Sequence, residues 1–124
     1  MDYLDLWKRF KEKGDSAAKD ELIVSYVPLV KNIAGRLYGS FHSQVEYDDI
    51  VGYGIIGLID AVEKFDYKKN IKFETYASIR IRGSVVDYLR TNDWIPRSLR
   101  AKYKKVEEIM ERLQEQYDGE ISDS

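Results

Sequence analysis

Two arginines, an aspartate and a tyrosine within KFETYASIRIRGSVVDYLRTNDWIPRSLR, residues 72–100, are the side chains of this chain best suited to a chemical task. Wound as a helix at 100° per residue, Arg80, Gly83, Asp87 and Arg90 all fall within about 40° of Tyr76. Arginine forks onto guanine edges or phosphates, and a carboxylate accepts from the amino group of cytosine. An aromatic ring among cations suits a base that has left its stack, at about 1–3 kcal/mol per base. The far side carries Ala77, Ile81, Ser84, Val85, Tyr88 and Leu89, small or apolar residues fit for a core. Spacing alone leaves Phe73 and Tyr76 equally readable as core aromatics. Charge tips the balance: from Lys64 to Lys105 twelve Lys/Arg face four acids, +8, which leaves −10 on the rest of a chain whose formal charge is −2. Segregation of this kind marks a basic working face, and polyanions are its natural partners.

Other chemistries find little support. GYGIIG, residues 52–57, spells the Gly-x-Gly-x-x-Gly of a dinucleotide loop. That fingerprint needs a buried strand before it and a helix opening after it. Here YDDIV precedes it and IIGLIDAVEKF continues without a break, so the glycines read as helix-packing residues. Each costs a helix about 1 kcal/mol against alanine, which implies close approach by another backbone or a bulky side chain. There is no cysteine, and the single histidine, His42, sits in the polar stretch SFHSQ. Asp48 and Asp49 are adjacent and point apart on a helix. No nucleophile–base pair or metal set follows, so the chain is expected to be no enzyme and to need no cofactor or metal. No apolar run approaches membrane length, so a soluble, cytoplasmic protein is expected.

The elements that must position these residues are helices. The expected fold is all-α, a compact bundle of four to five helices with a trailing C-terminal helix. The first helix is predicted over roughly 2–13, with Leu4, Trp7 and Phe10 inward. A second begins at Asp15 or Ser16 and carries Leu22, Ile23, Tyr26, Leu29, Val30, Ile33 and Leu37, with a kink at Pro28. Tyr38 to Gln44 reads as a loop. A third helix runs from Asp48 or Asp49 to about Phe65, its paired acids favouring the helix dipole. The fourth covers about 73–92. A fifth follows Pro96, with Leu99, Tyr103, Val106, Ile109 or Met110, and Leu113 as its apolar stripe.

YDDIVGYGIIGLIDAVEKFD followed by KFETYASIRIRGSVVDYLRTNDWIPRSLR resembles conserved region 2 of bacterial RNA polymerase sigma factors, over about residues 17–117. The RIRG, DYLR and DWIPRSLR wording is similar to the flagellar and sporulation-associated group of alternative sigmas. The resemblance implies a domain that binds core RNA polymerase, recognises the promoter −10 element and helps melt the duplex, without catalysing a reaction itself. Residues 1–95 then form region 2, and 96–124 begin region 3, a basic and then acidic helix. Asp49, Gly52, Tyr53, Ile55 and Ile59 match positions that dock on the clamp helices of the polymerase's largest subunit. Primary sigmas place Gln-Glu where this chain has Gly52-Tyr53, so shape and apolar area are expected to matter more there. Phe65, Asp66, Phe73, Thr75, Tyr76 and Arg82 match the pocket that captures a non-template-strand adenine. The two melting tryptophans of primary sigmas are Ile79 and Arg80 here. Arg80, Asp87, Arg90 and Arg97 match residues that read a GC-rich upstream part of the −10 element. Arg100, Lys102, Lys104 and Lys105 are expected to contact phosphates, blind to sequence and sensitive to salt.

Full-length family members continue into a helix-turn-helix that reads the −35 element, a module expected to be absent from this chain, whether excised or naturally lost. The partners implied are core polymerase, the promoter's non-template strand and an anti-sigma factor, with no membrane. Motility genes are the regulon the resemblance favours, with a sporulation-type sigma as the alternative. Two rival classes stay open on the residues themselves: a stand-alone helical DNA-binding regulator, and a fragment that binds polymerase or an anti-sigma protein and never touches DNA.

Overall fold

The computed structural model describes residues 3–41 and 46–91, with positions 104, 105, 108, 109, 111 and 112 beyond them. Five helices succeed one another: α1 (Tyr3–Lys13), α2 (Ser16–Ser25), α3 (Val27–Phe41), α4 (Tyr47–Lys64) and α5 (Phe73–Thr91). Among the described residues there is no strand. The six later positions are all helical, with Lys104 and Lys105 exposed and Ile109 buried. The predicted start of that helix at Pro96 lies outside the described residues.

α1 departs from the expected inward face. Leu6 and Trp7 are buried, whereas Leu4 is 47% exposed. Tyr3, Leu6, Trp7 and Phe10 form an i, i+3, i+4, i+7 set, a wider stripe than the three-residue steps alone. Leu4 stands outside it. Gly14 ends the helix at φ 66°, its amide donating to the Phe10 carbonyl at 3.0 Å. This left-handed stop suits a residue with no Cβ. Asp15 then starts α2 and ties it to α1. Its Oδ1 accepts from the amides of Ala17 (3.0 Å) and Ala18 (3.2 Å), and its Oδ2 accepts from Arg9 Nε at 3.0 Å.

The predicted kink is a full break one residue earlier than the proline itself requires. α2 ends at Ser25, and the Tyr26 carbonyl accepts from Leu29 at 3.0 Å to begin α3. Pro28 therefore sits in the first turn of a new helix, where an amide has no intrahelical acceptor to lose. α3 also continues through Phe41, past the expected loop start at Tyr38. The Tyr38 ring meets Tyr47 edge-on at 5.9 Å, which holds this last turn against the start of α4. His42 to Gln44 lie outside the described residues.

α4 is the axis of the bundle. Its buried residues run Ile50 to Ile55, Gly57 to Ile59, Ala61 and Val62, so it is covered on nearly every side. A helix apolar all round belongs in the middle of a fold. α5, α3 and α2 all pack on it. α5 buries Ala77, Ile81 and Val85 completely, the face the sequence periodicity assigned to the core.

Candidate nucleic-acid interface

The glycines of α4 set how close α5 comes. A Cβ on Gly57 would lie 2.8 Å from the Arg80 carbonyl oxygen and 2.9 Å from both Ile81 Cα and Ser84 Cβ. One on Gly54 would lie 2.7 Å from Val30 Cγ1 and 3.3 Å from Ile81 Cγ2. GYGIIG is helical throughout, so it holds no phosphate-cradling turn. The backbone that needs the space at Gly57 is the chain's own α5, the kind of close approach the glycine run implied. The Ser84 hydroxyl donates to the Tyr53 carbonyl at 2.9 Å across the same contact, and the Tyr53 and Tyr88 rings stack 4.9 Å apart, 11° from parallel.

At the N-terminal end of α5 an aromatic cluster joins three parts of the chain. Trp7, Phe65 and Phe73 meet pairwise at 5.1 Å, Tyr26 lies 4.6 Å from Phe73, and Tyr76 lies 5.4 Å from Phe65. Phe65 and Phe73 are buried, 7% and 4% exposed. They are core aromatics, not base-touching surfaces, because Trp7 of α1 covers both and Tyr26, between α2 and α3, covers Phe73. Tyr76 is half-buried against Phe65, and Thr75 and Arg82 are exposed. Asp66 is exposed too, its Oδ1 accepting from the Lys68 amide at 3.0 Å to shape the turn between α4 and α5. Beside Phe65 and Asp66 lies a cleft of about 360 Å³, walled by Lys11 and Glu12 of α1. Desolvation there lowers Lys11 below its ordinary value.

From Tyr76 the predicted stripe continues along α5. Arg80 is half-buried, and Gly83, Asp87 and Arg90 are exposed. None of them is sealed in the core. Arg97, assigned to the same readout, lies outside the described residues, as do Arg100 and Lys102 of the phosphate set.

Asp60 of α4 is the residue the sequence reading missed. Arg80 donates from Nε to Asp60 Oδ2 at 2.8 Å and also from Nη2 to the same oxygen. Lys64 Nζ holds the other oxygen, Oδ1, at 2.9 Å. The Arg80 guanidinium also lies over the Tyr76 ring, 5.4 Å from its centroid. Partial burial opposes charge on Asp60, yet hydrogen bonds from Lys64 and Arg80 outweigh it and hold the carboxyl below the usual range. The Asp60 hydrogen bond raises Arg80 in turn. With side chains 33% and 37% exposed, the pair adds only about 0–1 kcal/mol of stability. A signal for it existed: Asp60 is the one charged residue between Asp49 and Glu63. Above the pair a groove of about 520 Å³ runs between α4 and α5, floored by Gly57, Gly83 and Ser84.

The polymerase set needs the largest correction. Of Asp49, Gly52, Tyr53, Ile55 and Ile59, only Asp49 is exposed. Tyr53, Ile55 and Ile59 are 8%, 3% and 7% exposed and belong to the chain's own core. α4 is wrapped by its neighbours, so those side chains have no free surface to lend. The outward positions of α4 are Asp48, Asp49, Glu63 and Lys64, with Ile56 and Asp60 half-buried.

Comparison with known proteins agrees with the fold and the motifs. The family model for sigma-70 region 2 matches residues 22–95, more than half of the chain. The chain is 46% identical over 117 residues to the RNA polymerase sigma-D factor of Bacillus subtilis, covering 94% of this chain and 46% of that protein. It is 42% identical over 98 residues to the RNA polymerase sigma factor FliA of Escherichia coli, covering 79% of this chain and 41% of that one. Among solved structures, the flagellar sigma/anti-sigma complex Sigma-28/FlgM aligns with a TM-score of 0.58 at 35% identity, over 86% of this chain and 47% of that one. The chain thus spans about half the length of the relatives it matches. A bundle of five helices, a glycine-packed α4–α5 pair and these matches together make the chain a member of the sigma-70 region 2 family.

Proposed function

We propose that this chain is the region 2 part of a flagellar-type sigma factor, acting in the cytoplasm on core RNA polymerase to recognise the −10 element and open it. The observation that carries the reading is the outward stripe of α5, where Tyr76, Arg80, Asp87 and Arg90 share one side above an aromatic floor. Tyr76 offers a ring face to an unstacked base of the non-template strand, and rigid rings beneath it keep that face in place. Arg80, Asp87 and Arg90, with Arg97 beyond the described residues, read G and C edges next to it. Thr75, Arg82 and Asp66 border the captured base, and Phe65 and Phe73 support it from within. Lys104 and Lys105, with Arg100 and Lys102, follow the phosphates upstream.

Polymerase docking on the largest-subunit clamp helices falls to Asp49 and the outward side of α4. The buried Gly52, Tyr53, Ile55 and Ile59 give that helix its shape. Motility genes are the regulon, and an anti-sigma protein is a further partner, in keeping with the similar solved structure, a flagellar sigma/anti-sigma complex of Sigma-28 with FlgM.

The test mixes the chain with core polymerase and a fluorescent non-template −10 oligonucleotide. Tyr76→Ala should lose strand binding and keep polymerase association, whereas Asp49→Lys should weaken polymerase association. If both substitutions leave both bindings intact, the assignment fails.

A further inference from the structure

Arg80 is held by Asp60 and by the Tyr76 ring, and what is left uncovered has a definite shape. A guanidinium carries five N–H donors in a planar fork. Nε and Nη2 each spend one on Asp60 Oδ2, so both hydrogens of Nη1 and the second of Nη2 remain. One hydrogen of Nη1 and the second of Nη2 lie side by side along the outer, end-on edge, a fork that fits guanine O6 and N7, while the other Nη1 hydrogen points back toward Cδ. Asp60 cannot swing away freely, because Lys64 Nζ holds its other oxygen at 2.9 Å. The Tyr76 ring lies against the guanidinium, its centroid 5.4 Å from Arg80 Cζ. Gly83, with nothing within 4 Å of where its Cβ would stand, leaves the way to Arg80 open along α5.

A carboxylate beside a DNA-binding arginine repels phosphates, and this pair is too exposed to be retained for stability. Its use is geometric. We propose that Asp60 is a positioning residue for promoter readout: it grips the inner edge of Arg80 and so presents the outer edge to a guanine of the upstream −10 element. This rests on the reading of Arg80 as a base reader given above. A free arginine would have to lose rotamer freedom on each binding event, and one already fixed in place loses less. Asp60 therefore raises discrimination between bases, at the cost of some sequence-blind affinity for phosphates.

The test uses the full chain bound to core polymerase and two sets of duplexes. One set carries the upstream G·C pairs of the −10 element, and the other replaces each in turn with A·T. The readout is the affinity ratio between sets, with thermal unfolding of every variant measured alongside. Asp60→Ala should cut the ratio at one guanine position by about tenfold, the scale of one bidentate arginine–guanine contact. Asp60→Asn, which keeps an acceptor for Arg80, should recover part of it. The double variant Asp60→Ala with Arg80→Ala should be no worse than Arg80→Ala alone, since both remove the same contact. If Arg80→Ala collapses the ratio and Asp60→Ala does not, the positioning role is wrong while the base reader stands. If Asp60→Ala tightens binding to all sequences alike, Asp60 is only a repulsive charge and the proposal falls. If Arg80→Ala leaves the ratio intact, the underlying reading of Arg80 fails and this inference fails with it.

Discussion

Replacing Gly57 with alanine adds a single methyl group at the point where α4 and α5 come closest. That methyl carbon would sit 2.8 Å from the Arg80 carbonyl and 2.9 Å from Ile81 Cα and Ser84 Cβ, whereas ordinary contact begins at 3.4 Å. Two of these three atoms are backbone, which cannot rotate aside, so α5 must retreat by at least about half an ångström. Overpacking of this kind costs about 1–3 kcal/mol. Alanine returns about 1 kcal/mol through helix propensity, so the net loss is about 0–2 kcal/mol. In a domain of this size, at about 4 °C per kcal/mol, the melting temperature should fall by up to about 8 °C. Gly83→Ala is the matched control, because nothing lies within 4 Å of its Cβ position. It should gain up to about 1 kcal/mol. Gly54→Ala should fall between them, since the methyl groups of Val30 and Ile81 meet it rather than backbone. Thermal and urea unfolding followed by circular dichroism measure all three. A Gly57→Ala protein stabilised as much as Gly83→Ala, or a Gly83→Ala protein equally damaged, would refute the close-packing account of these glycines.

Tyr53→Ala should destabilise the fold by about 3–5 kcal/mol, as for other large aromatic truncations in a core. Tyr53→Phe should cost far less because the stack on Tyr88 survives, and urea unfolding separates the two. Asp15→Ala should lower the melting temperature more than Asp15→Asn, which still offers an oxygen to the first turn of α2. The Ala18 amide and Arg9 hold the Asp15 carboxyl below its ordinary 3.8, so its contribution is complete above that pH and is lost as the pH falls through the lower folded value. The difference between Asp15 and Asp15→Ala proteins in an acid titration should therefore shrink below pH 3.8. Lys104→Ala should weaken binding to all DNA sequences alike and reduce the salt slope by about one unit, and a loss confined to one base would contradict a phosphate contact.

The helices were legible because their signals are local: Asp15 before an apolar run, Pro28, the paired acids of α4 and the 3.6-residue rhythm of α5. The core face of α5 came from that rhythm alone. Leu4 was misplaced because three-residue steps drift around a helix, while the buried stripe included Tyr3 and Leu6. The burial of Tyr53, Ile55 and Ile59 was hidden for a different reason. A helix apolar on most of its circumference does not announce which side its own neighbours will cover, and motif matching assigned contacts without that knowledge. Asp60 went unnoticed since its partner lies twenty residues away on another helix. Pairing across the α4–α5 contact depends on how closely the two helices pack, and that in turn depends on Gly57.

Capture of a single-strand base on Tyr76 is best tested by binding anisotropy with the chain on core polymerase. The probes are an unpaired −10 strand and the same strand with the captured adenine removed at the sugar. Stacking worth about 1–3 kcal/mol predicts that Tyr76→Ala weakens binding to the intact strand by about five- to 150-fold. It predicts no further loss on the abasic strand, where the ring has nothing to hold. Equal affinity of parent and Tyr76→Ala proteins for the intact strand would contradict the account.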